Sequence, residues 1–135
     1  MFSSYDISTS GLMAQRARLD AIASNLANVS TTRGEDGAGP YRPRYVTFAA
    51  DASKTTSAGG IGVRVSGVQT STAEPIMRYA PNHPDSDSRG YVAMPNVNMT
   101  TEFVDALEAT RAYEANIGVM EITADLGERT LQILA

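Results

Sequence analysis

Residues 98–135 read NMTTEFVDALEATRAYEANIGVMEITADLGERTLQILA, and the rest of the chain is best understood from this stretch outward. It contains no proline and only two glycines, and its apolar side chains return every three or four residues. That spacing is typical of one long amphipathic helix. At 1.5 Å per residue the helix would be about 55 Å long, longer than a domain of this size is wide. Such a helix needs a surface outside its own domain to pack against.

Two apolar stripes run along this predicted helix. The first has heptad-like spacing and consists of Phe103, Ala106, Thr110, Tyr113, Ile117, Met120, Ala124, Gly127, Leu131 and Leu134. The second lies beside it and consists of Val104, Leu107, Val119, Ile122, Leu126 and Ile133. One partner helix covers one stripe, so the second is either domain core or a surface for another molecule. Asn98 or Thr100 is expected to cap the start of the helix, where Glu102 suits the positive end of the dipole.

Residues 4–29 form a second heptad-like pattern. Its stripe is Tyr5, Ser8, Leu12, Gln15, Leu19, Ile22, Leu26 and Val29. Similar stripes at both chain ends predict an antiparallel, coiled-coil-like bundle of the two terminal helices. We therefore divide the chain into a helix at 1–30, a middle segment at 31–97 and a helix at 98–135, with the two helices forming one helical domain.

The middle segment has the composition of short strands and loops. Alternation predicts strands at 41–49, 61–65, 76–80 and 90–94, with a loop at 54–60 and a bulge at Gly67. Pro43 favours an edge or a bulge. The predicted fold class is α+β, with a small β-rich segment between two long helices.

Composition excludes several classes of function. The chain has 135 residues, no cysteine and a net charge of −4. Without cysteine there is no disulfide and no thiol chemistry. No basic patch interleaved with aromatic residues is present, which argues against nucleic-acid binding, and no apolar run is long enough to span a membrane. Nothing at the start of the chain has the pattern of a signal peptide.

Two local motifs contain residue types that are used in catalysis or metal binding. His83 is the only histidine and stands next to Pro84, where a turn explains it without catalysis. The stretch from Asp85 to Gly90 begins like a calcium loop, but Arg89 stands at a ligand position and Asn96 at the closing carboxylate position. A small calcium-binding or adaptor module using Asp85 and Asp87 is the alternative function. We predict no enzyme activity, no small-molecule substrate, no cofactor and no metal site.

Several motifs together resemble the rod and hook axial proteins of the bacterial flagellum. They are residues 10–12 (SGL), 23–28 (ASNLAN), 39–42 (GPYR), 79–85 (YAPNHPD), 90–97 (GYVAMPNV) and 109–116 (ATRAYEAN). The resemblance covers the whole chain, and its central motifs are similar to the proximal-rod members of that family. Val29, where alanine is usual, and Pro43 depart from the family pattern.

The resemblance implies a structural subunit of the basal-body rod, which stacks with copies of itself and with other rod proteins and transmits torque from motor to hook. It also implies contact with the membrane-embedded ring and the export apparatus, and export by the flagellar type III system to the periplasmic part of the basal body. The expected assembly-interface residues are Leu12, Leu19, Ile22, Asn25, Leu26, Asn28, Phe103, Leu107, Tyr113, Ile117, Met120, Leu126, Leu131 and Leu134.

Overall fold

A computed structural model describes residues 2–35 and 37–134. Its elements, in chain order, are α1 (Phe2–Ala27), β1 (Arg44–Thr55), β2 (Ile61–Thr70), β3 (Ile76–Tyr79), β4 (Tyr91–Met94) and α2 (Met99–Leu134). The strands form two separate antiparallel pairs, β1 with β2 and β3 with β4. The predicted α+β layout, with a long helix at each end, is confirmed.

Helix α2 begins where its cap was expected. The Asn98 side-chain oxygen accepts hydrogen bonds from the backbone N–H groups of Thr100 at 3.0 Å and Thr101 at 3.3 Å. These two groups lack partners within the helix, so the cap stabilises its first turn, typically by about 1 kcal/mol. Asn98, rather than Thr100, is therefore the capping residue.

The two helices pack against each other in opposite directions. Asn25 of α1 contacts Glu102 of α2, and Arg18 contacts Asp105 further along. Gly11, nearer the start of α1, lies against Asn116. Because α2 has 36 residues and α1 has 26, the end of α2 projects past the start of α1. A true coiled-coil geometry, and the division into three segments, remain predictions.

The β1–β2 hairpin packs along α1. The Ser10 hydroxyl accepts a hydrogen bond of 3.0 Å from the Val63 backbone N–H. In the hairpin Thr47 pairs with Gly67 and Phe48 pairs with Val65, which leaves one extra residue on β2 and confirms the bulge beside Gly67.

The sequence placed the two ends of β1 incorrectly. The strand begins at Arg44 instead of residue 41, immediately after Pro43, which has no N–H to donate to a ladder. It also continues to Thr55, which pairs with Ile61 across the hairpin. The predicted loop at 54–60 is therefore shortened to a turn at 56–60, because cross-strand hydrogen bonds outweigh the weak strand propensity of small polar residues.

The β3–β4 hairpin is closed by an aromatic pair and a glycine turn. The rings of Tyr79 and Tyr91 meet edge to face with centroids 5.3 Å apart. Gly90 has a φ of 81°, and a Cβ there would lie 3.1 Å from the Tyr79 ring. Only glycine suits both conditions. The loop between these strands is held to the segment after α1 through Asp85, which accepts a hydrogen bond of 2.7 Å from the Thr32 hydroxyl.

Among the residues that the structure describes, no helix is long and apolar enough to cross a membrane.

Candidate assembly surface

Small and polar residues of α1 contact α2. They include Gly11, Arg18 and Asn25. Each immediately precedes one of the predicted stripe residues Leu12, Leu19 and Leu26, which are half-buried. The contact line on α1 is therefore shifted by one residue from the apolar stripe.

The same shift occurs on α2. Its buried and half-buried positions at 3-4 spacing are Glu102, Ala106, Ala109, Tyr113, Asn116, Met120, Thr123 and Gly127. We call these eight residues the inner face. Four of the ten residues of the predicted first stripe belong to it, namely Ala106, Tyr113, Met120 and Gly127. Five others, Phe103, Thr110, Ile117, Ala124 and Leu131, are exposed, and the smaller or more polar residue before each of the first four lies inside.

Tight packing of the Asn116 side chain against the Gly11 backbone explains why a small residue lies at this contact. A Cβ added to Gly11 would lie 2.8 Å from the side-chain oxygen of Asn116, closer than side chains tolerate. Ala14 of α1 and Ala109 of α2 are also buried. A leucine at these positions would force the helices apart, so the contact selects small side chains over apolar ones.

Asn25 is the centre of the contact between the helices and β1. Its side-chain nitrogen donates to the Arg44 carbonyl at 3.0 Å and to both carboxylate oxygens of Glu102 at 3.2 Å. Its oxygen accepts from the Arg44 N–H at 2.8 Å and from the Tyr41 hydroxyl at 3.0 Å. With 0% of its surface exposed, Asn25 fixes the relative positions of α1, β1 and α2.

Glu102 is a carboxylate inside the chain. Only 3% of its surface is exposed, although it lies in the first turn of α2. Burial raises the pKa of Glu102 and the charge of Asp105 raises it further, while the hydrogen bond from Asn25 lowers it. Sequence reasoning assigned Glu102 only to the helix dipole, because its partner Asn25 is 77 residues away.

The remaining apolar surface of α2 faces solvent. We call the following exposed residues the outer face: Phe103, Val104, Leu107, Ile117, Val119, Ile122, Leu126, Leu131 and Ile133. They continue beyond the point where α1 begins, along the projecting end of α2. Monomeric proteins rarely expose so extended an apolar surface, which makes the outer face a candidate interaction site.

The predicted interface residues thus fall into three groups. Phe103, Leu107, Ile117, Leu126 and Leu131 are exposed on the outer face. Leu12, Leu19, Leu26, Asn28, Tyr113 and Met120 are half-buried, and Ile22 and Asn25 are buried within the chain. The side chain of Leu134 lies outside the described residues. The assignment of these residues to a subunit interface remains a prediction.

The two acidic residues of the alternative calcium loop already have partners. Asp85 accepts from Thr32 and from the Arg33 guanidinium, and these contacts lower the pKa of its carboxyl group. Asp87 accepts from the backbone N–H groups of Arg89 and Tyr91, each at 2.9 Å. Their carboxylates thus serve two separate turn contacts. No group of three metal-ligating side chains occurs in the described part of the chain.

His83 has a local structural role. Its Nδ1 accepts a hydrogen bond of 3.1 Å from the backbone N–H of Asp85. This bond holds the turn that positions Asp85 against Arg33, as the turn interpretation of His83 requires.

Matches to known families first define the class. Residues 6–33 match the family described as "Flagella basal body rod protein", and residues 88–133 match "Flagellar basal body rod FlgEFG protein C-terminal". These two segments include most of α1 and α2, so the helical pair is what the chain shares with flagellar rod proteins.

Individual relatives narrow the class to one family. The chain is 40% identical to the flagellar basal-body rod protein FlgC of Borreliella burgdorferi, over 99% of this chain and 97% of the relative. It is 41% identical to FlgC of Salmonella typhimurium, over 96% and 94% of the two chains. FlgC of Bacillus subtilis is 36% identical over 98% and 97%. The chain belongs to the FlgC family of flagellar basal-body rod proteins, which confirms the resemblance found in its motifs.

Proposed function

We propose that this chain is a structural subunit of the flagellar basal-body rod, which associates through the outer face of α2. The observation that carries the proposal is the exposure of nine large apolar side chains along one helix. Membership of the FlgC family supplies the setting in which such a face is used.

Energetic considerations favour burial of the outer face in an assembly. Burying each large apolar side chain contributes roughly 1.5–3 kcal/mol. Association costs about 4–15 kcal/mol in lost translational and rotational freedom. Full burial of nine such side chains would contribute roughly 14–27 kcal/mol, which reaches or exceeds that cost. A rod subunit has several neighbours that can cover the outer face, whereas a monomer leaves it exposed to water.

The partners follow from the same proposal. We assign the outer face to copies of this chain and to other rod proteins, with the membrane-embedded ring and the export apparatus as further neighbours. The rod would transmit torque from motor to hook and lie in the periplasmic space, after export by the flagellar type III system. Because outer-face residues occur near both ends of α2, a neighbouring helix that runs alongside α2 can contact both groups of them.

The experiment compares two new carboxylates on the same helix. Leu126→Glu places a charge on the outer face, where assembly would bury it without a partner at a cost of several kcal/mol. Gln132→Glu places the same group at an exposed polar position of α2. Each variant replaces the native gene in a motile strain, and swimming and isolated basal bodies are examined.

We expect Leu126→Glu to abolish swimming and remove the rod while the purified chain keeps its helical circular dichroism. Gln132→Glu should swim. Normal swimming of the Leu126→Glu strain would refute the assignment of the outer face to assembly.

A further inference from the structure

A groove lies where α1, β1 and the start of α2 meet. Its volume is about 320 Å³, and it is lined by Arg18, Ala21, Ile22, Arg44, Tyr45, Val46, Phe48, Glu102 and Asp105. The aliphatic and aromatic side chains supply apolar walls. The groove therefore combines an apolar lining with two carboxylates from the first turns of α2.

Glu102 is the unusual member of this lining. Its surface is 97% covered, yet within the described residues no lysine or arginine lies within ion-pair distance of it. Its hydrogen bonds come from a single neutral donor, the amide nitrogen of Asn25. A carboxylate can accept about four hydrogen bonds, and a buried one is strongly disfavoured without a positive partner.

The two arginines that line the groove have other partners. Arg18 lies 3.7 Å from Asp105 and 3.5 Å from Glu108. Arg44 forms its ion pair with Glu35 at 3.1 Å, outside the groove. Glu102 therefore has no ion-pair partner among the described residues, although two arginines belong to the same lining.

The pKa values of two lining residues are raised mainly by burial and, to a smaller extent, by neighbouring carboxylates. Burial is the main cause of the raised pKa of Glu102, with the charge of Asp105 adding to it. The pKa of the Tyr45 hydroxyl is raised by burial and then by the charges of Glu102 and Asp105. An added cation would relieve both effects.

We propose that the groove receives the Arg111 side chain of a second copy of this chain, which forms an ion pair with Glu102; this inference rests on the proposed role in rod assembly. Arg111 is exposed on α2 and forms no ion pair among the described residues. Leu107 and Val104, one and two turns earlier on the same side, are exposed apolar residues that match the apolar walls.

The cation must come from another molecule. Nine residues separate Glu102 from Arg111 on one straight helix, which corresponds to about 13 Å. Arg111 therefore cannot reach Glu102 of its own chain. The pair would also bring the outer face of one copy against the groove of the next, so the contact is head to tail and can be repeated along a row of subunits.

Self-association of the full chain tests the proposal. Sedimentation equilibrium is measured for the native chain, Glu102→Gln, Arg111→Gln and the double variant. Glu121→Gln and Arg16→Gln are matched controls, because both residues are exposed and take part in no described ion pair. We expect each of the two test substitutions to weaken association by at least about tenfold, the double variant to be no weaker than either single one, and the controls to associate normally.

Monomer stability distinguishes this ion pair from a structural role of Glu102. A neutral amide is easier to bury than a lone carboxylate, so Glu102→Gln should raise the melting temperature of dilute monomer at pH 7 while it weakens association. A purely structural Glu102 would move both quantities in the same direction.

Monomer stability and self-association should also change in opposite directions with pH. The groups facing Glu102 are Arg18 and Asn25 from α1, Arg44 and Tyr45 from β1, and Asp105 on α2. Because the folded monomer raises the pKa of Glu102 above its ordinary value of 4.5, the protonated form stabilises the monomer at low pH, and this stability is lost as pH rises through the folded pKa. Association requires the ionised form, so it should strengthen over the same interval.

Three results would overturn the proposal: native association by Glu102→Gln, additive losses in the double variant, or a native chain that stays monomeric at every concentration. If the purified chain stays monomeric but still restores swimming, only the proposed groove contact is refuted, and the proposed role in the rod stands. Failure of the proposed function itself is tested separately by the Leu126→Glu strain.

Discussion

The inner and outer faces of α2 lie on one helix and differ in chemistry. The inner face is mostly small or polar, with Asn116 against Gly11 of α1, Ala109 buried, and the buried Glu102 bonded to Asn25. The outer face carries large aliphatic side chains that touch solvent. Specific hydrogen bonds and close backbone approach therefore determine the packing within the chain, and most of the apolar area of α2 remains for contact with other molecules.

If hydrogen bonds at the inner face determine the packing of the chain, the largest loss of stability should come from substitution of Asn25. Asn25→Ala removes the partners of the Arg44 N–H and carbonyl, the Tyr41 hydroxyl and the Glu102 carboxylate. Each unsatisfied buried group costs about 1–3 kcal/mol, so we expect the free energy of unfolding to fall by about 3–5 kcal/mol in urea titrations.

Asn28→Ala is the control for this change. The Asn28 side chain makes only local bonds, to the Ser24 carbonyl and the Thr31 hydroxyl. The Asn28→Ala substitution should lower the free energy of unfolding by about 1 kcal/mol. Equal losses in the two variants would show that Asn25 does not join the three elements.

Two isoleucines test the difference between a buried side chain and an exposed one directly. Ile22 of α1 is 6% exposed and Ile122 of α2 is 63% exposed. Ile22→Ala should destabilise the monomer by about 2–4 kcal/mol through cavity formation, while Ile122→Ala should change it by less than about 0.5 kcal/mol.

If the outer face is the interface, Ile122→Ala should weaken association more than Ile22→Ala does. Thermal unfolding of dilute chain measures the first effect, and basal-body yield from the corresponding strains measures the second. A large loss of monomer stability in Ile122→Ala would contradict the exposure of the outer face.

Substitution of Gly11 by alanine should change stability by a smaller amount, and the sign of the change should depend on the side chain at position 116. Alanine is favoured over glycine within a helix by about 1 kcal/mol, but the new Cβ would collide with the Asn116 side chain. We expect Gly11→Ala to be nearly neutral or destabilising in the native chain. In an Asn116→Ala background it should stabilise the chain by about 1 kcal/mol.

A chemical denaturation cycle of these four proteins measures the coupling between the helices. Additive effects would mean that α1 and α2 do not approach closely at this point.

The smallest effect is expected at the exposed tether of the β3–β4 hairpin. Hydrogen bonds from Arg33 and Thr32 lower the pKa of Asp85 below its ordinary value of 3.8. The contribution of this contact is therefore present above that pH and is lost as pH falls through the folded pKa.

Asp85→Asn should release the loop at 81–89 at neutral pH, and acid should have the same effect on the native chain. Amide hydrogen exchange of that loop is the measurement, and helix α1 should keep its protection. Unchanged exchange in the loop would show that the Asp85 contact does not hold it. His83→Asn is a related control, since the asparagine oxygen can replace the Nδ1 acceptor.

Much of this protein follows from the sequence alone. Periodicity predicts both long helices, alternation predicts all four strands, and the short polar side chains of Asn98 and Thr100 predict a cap at the start of α2. The motifs at 79–85 and 90–97 identify the flagellar rod family without any coordinates. These features are local, because each depends on residues within a few positions of one another.

Only the tertiary structure decided which side of each helix faces inward. Leu12, Leu19, Leu26, Phe103 and Ile117 have the same 3-4 spacing as the true contact residues, displaced by one position. Burial of an apolar side chain is equally favourable inside the chain and between subunits, so a hydrophobic pattern cannot distinguish the two. Two contacts settle the choice: Gly11 packs against Asn116, and Asn25 bonds to Glu102. Their partners are 77 or more residues apart, and a linear sequence does not contain the distances on which steric fit and hydrogen bonding depend.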